Sequence, residues 1–482
     1  MDISSNSLSS SEKRKLLEKL LTKRHVTKLP LTFAQQRMWY LEQKCTSVPV
    51  NILSSVFRLR GELDLEALRR ALDYLVERQE ALRVTFSVDE QQVWQVISPE
   101  RQASLSVYEL ESLPVEERET YARSLIDREL ETPFDLHLGP LFRALLLVLS
   151  PREHLLVFNI HNLIADGWSL GILYRDFSQI YTAIVEGQSS PLSPLPLQYT
   201  EFVQALHQEF QGERKERECA YWRQKFQGLS PQIKLPPPVK IYSRDSQDYG
   251  VIEFSFSADE VNGLRTLARS QGVTFFMSLV AVFSAYLHLY LQEERLVIAT
   301  PVANRHSTTS ENLIGYFVNV LVLDVDLRGA PTFRTLLERI KAEAKDCYAH
   351  PQLPFNELLA DLPFPDRNAR NPLAHFMLAY HGFTIEPLKL PKLEIEQVEH
   401  LHKIDLSDNP YEMDIHFWDN SKTSLSSQKQ AGCLSGSLLY CDRFDSSTVA
   451  QIIVEFQSLV RHLISSPDLP IAAFPIADKH HL

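Results

Sequence analysis

The sequence predicts an α/β protein of two lobes built to one plan. Helical and β-type segments alternate through both halves, and a Ser/Pro-rich stretch, GQSSPLSPLPLQ over residues 187–198, parts them. The length of 482 residues suits about two to four domains. The expected organisation is a linker or docking helix over 1–27, a first lobe over 28–186, the linker 187–198 and a second lobe over 199–482.

Each element follows from local pattern. After a polar start, Ser9 to Glu12 makes a capping box ahead of a helix ending near Arg24, with Leu16, Leu17, Leu20 and Leu21 as its apolar stripe. That helix reads as a docking element or as a linker helix resting on the domain. In LRRALDYLVERQEALRVTF the helical spacing runs to Leu82, then β-type residues follow through Phe86. LFRALLLVLS and HLLVFNI, broken at Pro151-Arg152-Glu153, read as a hairpin or two adjacent core strands. GWSLGILYRDFSQIYTAIVEG is an amphipathic helix that ends at Gly187.

The second half repeats this character. ADEVNGLRTLARSQGV, FFMSLVAVFSAYLHLYL and TFRTLLERIKAEAKDCYAH are predicted helices; RLVIATPV, NVLVLDVDL and HFMLAYHGF are predicted strands. The run from Phe275 to Leu291 carries Ser278, Ser284 and His288, so it reads as a buried helix rather than a membrane span or a stacking platform.

Composition excludes some functions. The net charge of −12 leaves no bulk basic footprint for nucleic acid. Five cysteines (Cys45, Cys219, Cys347, Cys433, Cys441) show no CxxC pair or Cys/His cluster, which argues against structural zinc and disulfides and for a reducing compartment. With no apolar leader after Met1, the expectation is a cytoplasmic, soluble, acidic protein without nucleic-acid or membrane partners.

The stretch with most chemistry is Phe158-Asn-Ile-His161-Asn162-Leu-Ile-Ala-Asp166-Gly167-Trp168-Ser169. A core strand runs into a tight turn and a helix begins, so polar side chains at the strand end face whatever crevice lies there. Asp166 reads either as a free carboxylate for acid/base work or as a structural anion paired with an arginine. Gly167 reads as a permissive backbone position, and Ser169 as a helix cap that, with Trp168, seats the helix. His350, His375 and His381 read as hydrogen-bonded core histidines.

The spacing resembles the HHxxxDG motif of the condensation-domain family of nonribosomal peptide synthetases, within the chloramphenicol-acetyltransferase-like superfamily. Other marks follow in family order. LTFAQQRMWYLEQ, with Ala34, Gln35, Arg37 and Leu41, is similar to its opening motif; ERQEALRVTF is similar to RHExLRTxF, with Gln79 for the histidine. YTEF (Tyr199–Phe202), IGYFVN (Ile314–Asn319), HPQLPFNEL, RNPL and SGSLLYCDRFD resemble the later ones.

The resemblance implies a V-shaped pseudodimer of two chloramphenicol-acetyltransferase-like lobes with a central tunnel. Upstream donor and downstream acceptor carrier proteins would feed it with groups borne on 4'-phosphopantetheine, beside an adenylation domain, and no metal or bound cofactor takes part. An acceptor amine attacks a donor thioester and an amide forms. The motif aspartate maps onto Asp166, a structural residue, with Arg305 as its ion-pair partner. Trp168, Ser169, Asn319, Tyr316 and Arg37 are expected to position substrate along the tunnel.

One departure matters. The family's catalytic second histidine falls on Asn162, and His161 matches the first, mainly structural one. An amide is no general base near neutral pH, and losing a positioned base costs about 10²–10⁴ in rate. Proximity in a shared site contributes roughly 7–11 kcal/mol, so catalysis by positioning survives that loss. Asn162 then either positions the amine or developing oxyanion, or is a polar turn residue. Three functions remain: amide-forming condensation, a degenerate docking or gating platform for carriers or tailoring enzymes, and an ester-forming or dehydrating variant. Cyclisation is disfavoured because its motif needs Asp at 161. The closing IAAFPIADKHHL resembles the start of an inter-domain linker, as in a domain excised from a synthetase.

Overall fold

The computed structural model describes residues 27–43, 51–90, 92–99, 102–227, 250–305, 309–350, 371, 373–382, 385–398, 410–419, 434–441 and 443–474. The expected N-terminal helix, the part of HPQLPFNEL after His350, Arg370 and Pro372 of RNPL, and the residues past Phe474 lie outside them.

The chain divides into two compact units. The first holds the described residues of Met1–Glu209, Arg305–Tyr316 and Pro387–His400; the second holds those of Phe210–Asn304, Phe317–Glu386 and Leu401–Leu482. The units are therefore not two continuous stretches meeting at 187–198. Two later segments return to the first unit, one through hydrogen bonds at the site and one as a strand.

In the first unit the order is β1 (Thr27–Pro30), α1 (Phe33–Glu42), β2 (Ile52–Gly61), α2 (Leu65–Arg78), β3 (Val84–Asp89), β4 (Gln92–Ile97), β5 (Ser104–Glu109), α3 (Val115–Glu131), β6 (Phe142–Ser150), β7 (Glu153–His161), α4 (Gly167–Val185) and α5 (Tyr199–Glu209). There follow α6 (Glu213–Lys225), β8 (Gly250–Phe256), α7 (Ala258–Ser270), α8 (Phe275–Leu291), β9 (Arg295–Val302), β10 (Asn319–Asp326), α9 (Phe333–Ala349) and β11 (Phe376–His381). Then come β12 (Leu393–Val398), which belongs to the first unit, and β13 (Met413–Asp419), β14 (Leu434–Tyr440) and α10 (Ser446–Ser465).

The main sheet of the first unit runs β12-β2-β7-β6-β5, with β1-β4-β3 as a smaller sheet. β6 and β7 pair antiparallel across Pro151-Arg152, the hairpin alternative of the sequence reading. Both strands are apolar on both faces because both faces are covered. On one side α3 sets Ala122, Leu125 and Ile126 against Leu145, Leu147, Leu155 and Val157. On the other, Phe57, Phe158, Tyr174 and Phe177 meet mostly edge to face. Each fully buried side chain of this kind contributes roughly 1.5–3 kcal/mol. Strand β12 joins where Gly61 has φ of +136°, and a Cβ there would stand 2.2 Å from Lys392 O. That junction needs glycine.

One boundary differs from expectation. Helix α2 stops at Arg78, not Leu82; Gln79 is extended and a short 3-10 turn, Glu80–Arg83, leads into β3. The buried Gln79 carboxamide accepts from Ile314 N at 3.0 Å and donates to Asn312 O at 3.1 Å. Continuing the helix would pull it off both.

The second unit has one mixed sheet, β10-β9-β11-β13-β14-β8, in which β11 runs parallel to β9 and β13. α7, α8 and α10 cover one face, where Phe254, Phe256, Phe417 and Phe456 interlock. α8 is buried from Met277 to Leu287, and among the described residues no single helix is long and apolar enough to cross a membrane.

Candidate active site

The site-bearing turn begins where β7 ends. His161 is buried at the last position of the strand, opposite Ile52 of β2. Its Nδ1 accepts from Leu163 N at 3.1 Å, which puts the ring proton on Nε2, 3.4 Å from Glu42 Oε1. The other oxygen of Glu42 accepts from Asn51 Nδ2 at 2.9 Å. Burial works to raise the Glu42 carboxyl, but the His161 and Asn51 contacts outweigh it and hold the group below the usual carboxylate range. Phe134 meets the imidazole edge to face at 5.8 Å. Nδ1 of His161 is thus taken by the backbone, while Nε2 faces the Glu42 carboxylate without a hydrogen bond among the described residues.

Asn162 follows in a short 3-10 turn. Its N–H donates to Asn51 O at 2.7 Å, and its C=O accepts from Ala165 N at 3.4 Å. The side chain differs: Oδ1 is buried with no hydrogen-bond partner among the described residues. A buried acceptor left unmade costs about 1–3 kcal/mol, so it marks a place where a donor is wanted.

Asp166, Ser169 and Arg305 close the turn. Asp166, not Ser169, is the N-cap of α4: its carboxylate accepts from Ser169 N at 2.9 Å, and Ser169 Oγ accepts from Asp166 N at 3.3 Å in a reciprocal capping box. Arg305 Nη2 donates to Asp166 Oδ1 at 3.0 Å and to Ser169 Oγ at 3.1 Å. The two charged side chains are 3% and 2% exposed, so the pair is fully desolvated. Burial lowers the Arg305 pKa in spite of Asp166, while Arg305 Nη1 also reaches the Leu313 carbonyl at 2.8 Å. Ser169 Oγ donates to Gly315 O at 3.0 Å, which fastens 305–316 to the head of α4. Burial, then the charge of Asp166, pushes the Tyr199 phenol up. In this geometry Asp166 caps α4 and pairs with Arg305.

Gly167 opens α4 without a positive φ, so backbone freedom is not what it supplies. Trp168 Nε1 donates to Glu311 O at 3.1 Å. Arg37 is half-buried on α1, and Tyr316 is half-buried at the end of 305–316. Asn319 lies in the second unit, at the first position of β10, where its Oδ1 accepts from Val320 N at 2.9 Å.

Sequence reasoning missed several residues that hold the turn. Glu42 and Asn51, which orient His161 and Asn162, are more than a hundred positions away in the chain and carry no motif signal of their own. Gln35 donates to Leu163 O at 2.8 Å and to Gln95 Oε1 at 2.9 Å, and its place in the opening motif was the available clue. In the second unit, His350 Nδ1 lies 3.1 Å from Glu218 Oε1 and its ring stacks on Tyr221. His381 is not a lone core histidine but one of a hydrogen-bonded pair with His416, a residue sequence reasoning did not single out.

A family model described as Condensation domain matches residues 25–480. Chondramide synthase cmdD of Chondromyces crocatus is 37% identical over 371 residues, which are 77% of this chain and 9% of that protein. Phosphinothricin tripeptide synthetase PhsC of Streptomyces viridochromogenes is 34% identical over 357 residues, 73% of this chain and 32% of that one. The chain thus spans a small part of the relatives it matches. Among solved structures, the X-domain from teicoplanin biosynthesis aligns with a TM-score of 0.74 at 24% identity, covering 93% of this chain and 97% of that one. The first condensation domain of the CDA synthetase aligns at 0.69 and 18%, covering 94% and 99%. The fold is the chloramphenicol-acetyltransferase-like α/β fold of those domains.

Proposed function

Because this chain belongs to the condensation-domain family of nonribosomal peptide synthetases, we propose that it joins a donor acyl or peptidyl thioester to an acceptor aminoacyl thioester through an amide bond. Both groups arrive on the 4'-phosphopantetheine arms of carrier proteins in a cytoplasmic assembly line that includes adenylation domains. The observation that carries the reading is the buried, unpartnered Oδ1 of Asn162 at the end of β7. A carboxamide oxygen accepts an N–H from an incoming amine and orients its lone pair. His161 and Asp166 keep that carboxamide in place and do not exchange protons.

Reconstitution with pantetheine-linked donor and acceptor, followed by intact mass, tests this. Wild type forms the amide, and Asn162→Ala lowers kcat by about 10-fold or more, the scale of one lost positioning contact. Wild type that loads and yields no amide ends the reading. A second reading has its own observation: residue 162 has no basic group and Nδ1 of His161 is taken by the backbone N–H of Leu163. A docking or gating platform of that kind binds carriers or a tailoring partner without turnover, as the X-domain found in complex with OxyB has this same fold. Under it, Asn162→His alone gains condensation activity.

A further inference from the structure

The small sheet of the first unit, β1-β4-β3, holds a polar residue that its own packing does not require. Gln95 stands on the central strand β4, opposite Leu29 on one side and Phe86 on the other, and is 0% exposed. An unpaired carboxamide at such a position is destabilising. Both of its ends are paired: Nε2 donates to Pro30 O at 3.0 Å, and Oε1 accepts from Gln35 Nε2 at 2.9 Å.

Gln35 is equally buried and carries the chain on. It closes a capping box at the start of α1: its Oε1 accepts from Thr32 N at 2.9 Å, and Thr32 Oγ1 accepts from Gln35 N at 3.2 Å. A glutamate would serve that cap equally well. What glutamine adds is an amide nitrogen with two protons, one for Gln95 and one for Leu163 O at 2.8 Å. The polarity of the line is fixed from both ends. Pro30 O can only accept and Thr32 N can only donate, so Gln35 Nε2 must turn a proton to Leu163 O. A buried amide chain satisfied in this way is stiff.

Leu163 is the residue after Asn162. The main chain there is held at Asn162 N by Asn51 O at 2.7 Å and at Leu163 N by Nδ1 of His161 at 3.1 Å. The Asn162 carbonyl itself has only a long contact, 3.4 Å from Ala165 N. The grip of Gln35 on the Leu163 carbonyl completes the restraint. With the peptides on both sides fixed, the direction in which the Asn162 side chain leaves the backbone is fixed too.

We propose that Gln35 and Gln95 are positioning residues for Asn162: the amide chain from β4 through the cap of α1 sets where the Asn162 carboxamide stands during amide formation. This rests on the amide-forming reading above, and every residue in it belongs to the first unit. Neither glutamine touches substrate; each acts through Asn162. Misplacing a positioning group by about 1 Å costs up to about 10²-fold in rate. Here the loss has a ceiling, because a residue acting through Asn162 cannot cost more than Asn162 does.

The test is a double-mutant cycle on the reconstituted chain with pantetheine-linked substrates. Gln35→Glu keeps the length and the cap acceptor and removes the nitrogen that donates to Leu163 O and Gln95 Oε1. It lowers kcat by about 10-fold, the scale of Asn162→Ala, with KM unchanged. Gln95→Met leaves the bond to Leu163 in place and lowers kcat less. In the Asn162→Ala background neither substitution lowers kcat further, while each costs as much thermal stability there as in wild type. Gln95→Met carries the same cycle if Gln35→Glu does not fold. Losses that multiply in the double variants, or wild-type kcat in Gln35→Glu or in Asn162→Ala, overturn the inference and leave amide formation itself standing. No amide from wild type overturns both.

Discussion

Two places in this molecule carry histidine, carboxylate and a nearby amide or indole, and they are organised oppositely. At the end of β7, His161 gives one nitrogen to a backbone N–H and turns the other to Glu42, inside a turn cemented by the Asp166–Arg305 pair. On the sheet of the second unit, His381 and His416 spend their facing nitrogens on each other, with a carboxylate at one end of the line. The first arrangement ties Nδ1 to the backbone and sets Nε2 3.4 Å from the Glu42 carboxylate. The second sets two imidazoles against each other, with a carboxylate 3.0 Å from the far nitrogen of His416. A histidine in a family motif is therefore no better a guide to proton transfer than the partners its two nitrogens have.

That contrast breaks most sharply through Arg305. Replacing it with Met leaves Asp166 buried without its counter-charge, and the expected loss is about 3–5 kcal/mol of stability in urea denaturation. A loss under about 1 kcal/mol would show the turn is not held by this pair. Glu42→Gln gives a smaller effect, about 1 kcal/mol. Its sign with pH is fixed by the lowered Glu42 pKa: the contribution is complete above the unfolded carboxylate value and is lost as pH falls through the folded one. The gap between wild type and Glu42→Gln, measured by thermal unfolding, is open near neutrality and closes in acid. Least destabilising is Asn162→Ala, which leaves stability unchanged or raises it by about 1 kcal/mol, because it removes a buried acceptor that has no partner. A large destabilisation there would make Asn162 a structural residue and remove the ground for its positioning role.

Much of this was legible in the residues alone. Periodicity located α2, β3, β6, β7 and α4 of the first unit and α7, α8, α9, β9, β10 and β11 of the second, and ordered motifs located the turn at 161–169. The end of α2 was not legible, since helical spacing continues past Arg78 while Gln79 is drawn to Asn312 and Ile314. Nor was the capping role of Asp166: Ser, Asp and Thr all suit an N-cap, and only the reciprocal bonds with Ser169 choose between them.

What the sequence determined by itself was the local grammar: which stretches are strand or helix, that residue 162 is an amide, and that the motif set is that of a condensation domain. Tertiary structure alone decided which distant groups meet. Glu42 reaches His161 through the packing of α1 against the turn after β7, segments 305–316 and 387–398 return to the first unit, and β11 and β13 lie parallel so that His381, opposite Trp418, meets His416 diagonally across the strands. The reason is that strand and helix periods fix only which face a side chain takes. Which element lies opposite that face depends on sheet order and register, and these are set by the packing of the whole unit.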